Sequence, residues 1–416
     1  MLKGFCINIL LVVCLAVASL FIVQGKEAQA AASSKWIVTT QKAPVYDYVD
    51  GKQVTIGTLL AWQLYEVVTE DQNYYYVPFG NATGFIKKGA HIKTATKKQI
   101  VQSKSKKPVN SNLSIVTKTE SIVFNRIDKK QKAIALVKGN IRYPVARKIS
   151  NWYLVNVGGQ LGYIHESKVY EDLGIPVLMY HHMLEQPEQT PFEKNSMVIK
   201  VSEFQKQMDY LKQNGWKTIL LQELDRYLNN EQNLTGKVAV ITFDDNYLSM
   251  QKYAYPILKE NNQKAVSFVI GGKTRSFAQS WDPMTLQYMG YKEMKETIDI
   301  FDFQHHTNGM HLRERETLIP YLISKTQKEI ELDLIKGREH IGKPLEDPSS
   351  IQYLAYPWGQ YSSHTIQAAK AAGIRLAFTT ETGNVQRGDQ PYILKRQGIG
   401  PYHTMDDFVK KIEGRY

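Results

Sequence analysis

The stretch Val238–Ser249, "VAVITFDDNYLS", runs six apolar or β-branched residues straight into two adjacent carboxylates, Asp244 and Asp245. A core strand that ends this way places charge where burial is costly unless something recruits it. Similar apolar runs lie on both sides: "IPVLMY" (175–180), "AVSFVI" (265–270), "IDIFDF" (298–303), "YLAYP" (353–357) and "LAFTT" (376–380). Helical stretches separate them. In "SEFQKQMDYLKQNG" (202–215), Phe204, Met208 and Leu211 recur at three- and four-residue spacing, and Gly215 supplies a stop. Near-continuous apolar strands alternating with helices indicate a parallel sheet covered on both faces, hence an α/β domain over residues 172–416, with a barrel as one form of it.

Just past the ends of these strands sit residues with ligand or acid/base character. "LMYHHM" offers His181 and His182, "ITFDDN" the paired acids, and "FQHHTNGMH" His305, His306 and His311. Two histidines and a carboxylate form a common catalytic ligand set for a divalent metal. Neighbouring side chains at a strand end point in different directions, so one acid can hold an ion while the other accepts a proton. The competing reading, Asp as a helix cap, covers the pair alone but not the later histidines.

Upstream the texture is different. "NYYYVPFGNATGFI" (73–86) and "NWYLVNVGGQLGYI" (151–164) match at a fixed offset of 78 residues, superposing Asn73 on Asn151, Tyr75 on Tyr153, Val77 on Val155 and Gly84 on Gly162. Short β-rich runs precede each. The pair resembles bacterial SH3-like modules, which implies two small all-β barrels over 35–93 and 113–171, modules of a kind that commonly hold enzymes to the cell wall. Between them, residues 94–112 are rich in Lys, Ser and Asn and read as an exposed linker.

Residues 1–30 carry Lys3, an apolar run and Ala28-Gln29-Ala30, the pattern of a cleaved export signal, with an uncleaved anchor as the alternative. Both cysteines, Cys6 and Cys14, fall inside it, which excludes a disulfide or thiolate nucleophile from the mature chain. The formal charge of +12 favours polyanions. No nucleic-acid motif accompanies it, so an envelope polymer is the expected partner, and a monomer the expected state.

The C-terminal motifs together resemble the polysaccharide deacetylases of the NodB-homology type, carbohydrate esterase family 4. Thr242-Phe243-Asp244-Asp245 matches its first motif, His306-Thr307 with His311 the second, and Ala355-Tyr356-Pro357-Trp358-Gly359 the third. The five-residue histidine spacing and the early pair Tyr180-His181 resemble the permuted branch acting on poly-β-1,6-N-acetylglucosamine. The resemblance implies a distorted (β/α) barrel and an exported N-deacetylase that releases acetate from N-acetylglucosamine units of poly-N-acetylglucosamine or peptidoglycan. It also implies roles: Asp245, His306 and His311 bind a divalent metal, with Zn2+ favoured; Asp244 is the base; His181 is the acid; the Trp358 N–H stabilises the oxyanion; Tyr356 and Pro357 line the substrate. Trp281 in "SWDPMT" is a candidate for stacking on a sugar, set against a core role.

Three departures stand out. Asn246 replaces a glycine, His305 a small residue, and Tyr356 the arginine that orients the base in many relatives, for which Arg396 in "LKRQG" is a substitute. His182 and His305 read as surface decoration. The rival function is a wall-binding protein whose deacetylase-like domain has lost activity.

Overall fold

The computed structural model describes residues 35–49, 51–103 and 112–416. The expected export signal lies outside them, as does part of the expected linker; the rest of that linker includes a short helix, Lys97–Ser103. Among the described residues no helix is long and apolar enough to cross a membrane.

The described residues between 35 and 171 form mainly antiparallel strands. The sequence repeat becomes a structural one: the hairpin Tyr74–Phe79/Ala82–Lys87 returns as Trp152–Val157/Gln160–His165, with Tyr75 opposite Ile86 and Tyr153 opposite Ile164. The two halves do not stand apart. Strand Lys52–Leu59 pairs with its own repeat, Ala133–Val137, in the register Leu59–Ala135, Thr58–Leu136 and Gly57–Val137. Adding 78 to the first member of each pair regenerates the same set, so Thr58–Leu136 marks a local two-fold axis. The flanking hydrogen bonds obey it too, Leu60 N–H to Ile134 O and Lys138 N–H to Ile56 O. One apolar core runs through both halves, from Ile37 to Val169.

The C-terminal region closes seven parallel strands into a barrel. Around the ring they run Val177–Tyr180, Leu394–Gly398, Leu376–Thr382, Tyr353–Ala355, Phe301–His305, Ala265–Val269 and Lys237–Asp245, which pairs back onto the first. Strand Trp216–Thr218 attaches outside the ring, to Lys237–Asp245. Along that strand Val238 and Val240 face a core shared with Phe268, Phe378 and Leu394, while Ile241 and Phe243 pack with the helix residues Phe204, Met208 and Leu211. This is the period-two alternation of a strand buried on both sides. Continued to the strand's end, it sends Thr242 and Asp244 the same way as Val238 and Val240, so that line of side chains turns polar at one rim.

The repeats are tied to the barrel by polar anchors. Asn233 accepts from the Asn81 and Ala82 N–H groups and donates to Asp47, and Arg142 bridges Asp172 and the Leu234 carbonyl.

Candidate active site and metal centre

At the polar rim Asp244 is gripped by Arg396, whose Nη1 and Nη2 donate to its two carboxylate oxygens at 2.7 and 2.8 Å. Arg396 is 0% exposed and its Nε–H is spent on the Thr379 carbonyl. A bidentate guanidinium fixes a carboxylate in orientation as well as in charge. Burial opposes ionisation of Asp244, but the Arg396 charge overcomes it, assisted by His306 and His181, and holds the carboxyl well below the usual carboxylate range. His181, at the end of Val177–Tyr180, brings Nε2 to 3.8 Å from Asp244 Oδ2. Burial pushes its imidazole below the ordinary value, with the Asp244 and Asp245 charges pulling the other way.

Strand alternation alone would aim Asp245 away from Asp244. The backbone turns left-handed at Asp245 (φ 73°) and Asn246 (φ 63°), ending the strand and bringing the second carboxylate to the same rim. Asn tolerates this geometry better than most residues, and its side chain is anchored by the Ser267 hydroxyl. Asp245 Oδ1 lies 3.5 Å from His306 Nε2 and 3.4 Å from His311 Nε2. His306 is oriented by its other nitrogen, Nδ1, 2.8 Å from the Ala355 carbonyl; a proton there leaves the Nε2 lone pair free.

These residues fit a divalent ion. Ligands about 2.1 Å from a tetrahedral ion stand about 3.4 Å from one another, close to the two separations of Asp245 from the histidines. Asp245 Oδ1 is buried with no hydrogen-bond partner among the described residues, and the three ligand atoms lie within 4.8 Å of each other. Burial pulls His311 down to about 4, so its nitrogen is unprotonated and able to bind a metal near neutral pH.

The loop joining the two histidines is pinned from below. Asp333, on helix Gln327–Gly342, accepts from the Asn308 and Gly309 N–H groups at 2.8 Å each. Gly272 passes so close that a β-carbon there would meet the Asn308 carbonyl at 2.6 Å. Nothing in the local sequence marks Asp333 as part of the site. Tyr247 was also missed; burial and the adjacent Asp245 charge raise its hydroxyl pKa, and the only signal was its place after the acids.

Trp358 sits across the site in a left-handed turn (φ 56°), its ring 4.5 Å from that of His311. Gly359 makes the turn possible: a β-carbon there would strike Thr380 Oγ1 at 2.3 Å.

Four sequence expectations need correction. Tyr356 does not line the substrate: it is 0% exposed, stacks on Tyr361 and donates its hydroxyl to the Tyr392 carbonyl. Pro357 is buried beside it, so the two residues set the turn under Trp358. His182 and His305 are not surface decoration. His182 is 2% exposed, bound to Ser249 Oγ and surrounded by Phe192, Tyr247 and Trp281; His305 is 0% exposed and bound to the Leu334 carbonyl. Trp281 is half-buried, packed against the core on one side with His182 and Tyr253 as ring neighbours.

Residues 231–377 match the polysaccharide deacetylase family model. The chain is 26% identical over 239 residues to a putative polysaccharide deacetylase of Bacillus subtilis, YxkH, covering 58% of this chain and 76% of that one. It is 26% identical over 217 residues to poly-β-1,6-N-acetyl-D-glucosamine N-deacetylase of Staphylococcus aureus, covering 51% and 71%. The Streptococcus pyogenes deacetylase PplD, solved in complex with acetate, superposes with a TM-score of 0.50 at 26% identity, over 57% of this chain and 98% of that chain.

Proposed function

We propose that this chain, whose C-terminal region is a polysaccharide deacetylase domain, is an exported, metal-dependent N-deacetylase that hydrolyses acetamido groups of N-acetylglucosamine units in a surface polysaccharide and releases acetate. The observation that carries the reading is a carboxylate fixed by a buried arginine beside an Asp-His-His triad.

Asp245, His306 and His311 would hold the ion, with Zn2+ the leading candidate. When bound, the ion supplies Lewis acidity toward the acetamide carbonyl and the attacking water. Asp244 takes the proton of that water. Arg396 keeps that carboxylate ionised and aimed throughout. His181, across from Asp244, gives a proton to the departing amine. The Trp358 N–H, presented by its left-handed turn, donates to the tetrahedral oxyanion. No covalent intermediate with the protein is formed.

The names of the Staphylococcus relatives support a β-1,6-linked N-acetylglucosamine polymer as substrate. A second reading, peptidoglycan, is favoured by the paired β-repeats and the charge of +12: residues 35–93 and 113–171 would act as SH3-like modules holding a monomeric enzyme to the wall, with residues 172–416 catalytic. The deciding experiment measures acetate release from β-1,6-linked N-acetylglucosamine oligomers and from muropeptide glycan with Zn2+ or Co2+ added, using Asp244→Asn as control. Release from neither polymer would leave the wall-binding reading without enzymatic activity in its place.

A further inference from the structure

Beyond His311 and Trp358 lies a cation that the proposed chemistry does not use. The Arg313 guanidinium stacks on the Trp358 ring, 4.2 Å from its centroid, on an indole that is itself 38% exposed and packed against the ligand His311. Such stacking holds a guanidinium flat and leaves its N–H edge available. Nη1 donates to the Leu318 carbonyl, and among the described residues no carboxylate pairs with Arg313. The adjacent acid, Glu314, is occupied by Lys325 and Ser324. Inside the rim Asp244 is neutralised by Arg396. Arg313 is therefore a positive charge with no carboxylate partner among the described residues, separated from the ligand residue His311 by the Trp358 ring.

That placement matters because of what deacetylation does to the polymer. Each acetamido group is neutral, and each amine left behind takes up a proton in neutral to mildly acidic solution, so the substrate gains positive charge as it is consumed. Resting on the deacetylase reading above, we infer that Arg313 is a specificity-determining residue. It reads the charge of the sugar unit next to the reacting one, accepting a neighbour that is still N-acetylated and repelling one that is already an ammonium. Two like charges about 8 Å apart in a partly wet cleft disfavour each other by roughly fivefold in affinity. The outcome is an enzyme that spaces its products along the chain.

The test uses two β-1,6-linked N-acetylglucosamine oligomers, one fully acetylated and one with a single free amine beside the unit attacked, and measures the ratio of their kcat/KM values within each protein variant. A ratio taken within one variant is unaffected by how much of that variant is folded. Wild type is expected to prefer the fully acetylated oligomer by about fivefold, a preference that shrinks from low to high salt as screening sets in. Arg313→Lys keeps the charge and should keep the ratio, whereas Arg313→Met should bring it close to one. An Arg313→Met ratio equal to that of wild type, whatever the absolute rates, overturns the assignment and leaves Arg313 as a buttress for Trp358. Absence of acetate release from either oligomer and from muropeptide glycan by metal-supplemented wild type is a different failure: it removes the deacetylase reading itself.

Discussion

Gly84 and Gly162 occupy matching places in the two β-repeats. A β-carbon at Gly84 would meet Val45 and Ile56, and one at Gly162 would meet Val123 and Ile134, the same neighbours shifted by the repeat. Four unusual backbone positions of the barrel behave differently. Asp245, Asn246, Thr307 and Trp358 all have positive φ, come from three separate strand ends, and gather at one rim. In the repeats an exceptional residue recurs along the sequence and serves packing. In the barrel these four converge in space, where strained backbone and buried charge are kept for chemistry.

The contrast breaks most visibly if the converging residues prove dispensable. Chelation of divalent metal should take acetate release to background and added Zn2+ should restore it, whereas His306→Ala should stay inactive at any Zn2+ concentration tried. Asp244→Asn should lower kcat by about a thousandfold. It also leaves Arg396 buried beside a neutral partner, so a fall in stability of about 3 kcal/mol should appear in urea unfolding. A repeat position should do the reverse: Gly162→Ala forces a contact at 2.4 Å with Val123 and should cost about 2 kcal/mol of stability while kcat/KM holds. A loss of kcat/KM at unchanged stability would mean that the repeats take part in catalysis.

The smallest expected effect lies between these extremes, in a barrel residue away from the rim. Burial raises the Asp302 carboxyl to about 6 from an unfolded value of 3.8, Gln304 opposing. The folded state therefore binds this proton more tightly, and stability falls as pH rises from about 4 through 6. Asp302→Asn should remove that slope and gain about 1 kcal/mol at pH 7, after allowance for partial exposure, read from melting temperatures across the range.

The alternation that ends in Thr242-Phe243-Asp244-Asp245 was legible because strand period, burial and motif all act within a few residues. The parallel sheet covered on both faces followed from repeating that pattern, and the doubled β-region from the fixed offset. Closure through Val177–Tyr180 and Lys237–Asp245 was not written in any local stretch, nor was the seam between the repeats, because hydrogen bonds between distant strands leave no periodic mark. Arg396 was named without any local signal to support it, since a salt bridge spanning 152 positions has no spacing rule. Asp333 acts through backbone N–H groups, which every residue except proline possesses. Tyr356 misled because an aromatic side chain in a motif looks alike whether it faces a sugar or a neighbouring tyrosine.

The seam has a consequence for how such a chain is kept soluble. A strand that matches its own copy is an adhesive edge, open to any other molecule with the same edge exposed. By carrying both copies on one polypeptide, at the high local concentration a short tether imposes, the molecule closes that edge upon itself. The self-recognition that would drive open-ended association between chains is spent inside a single one.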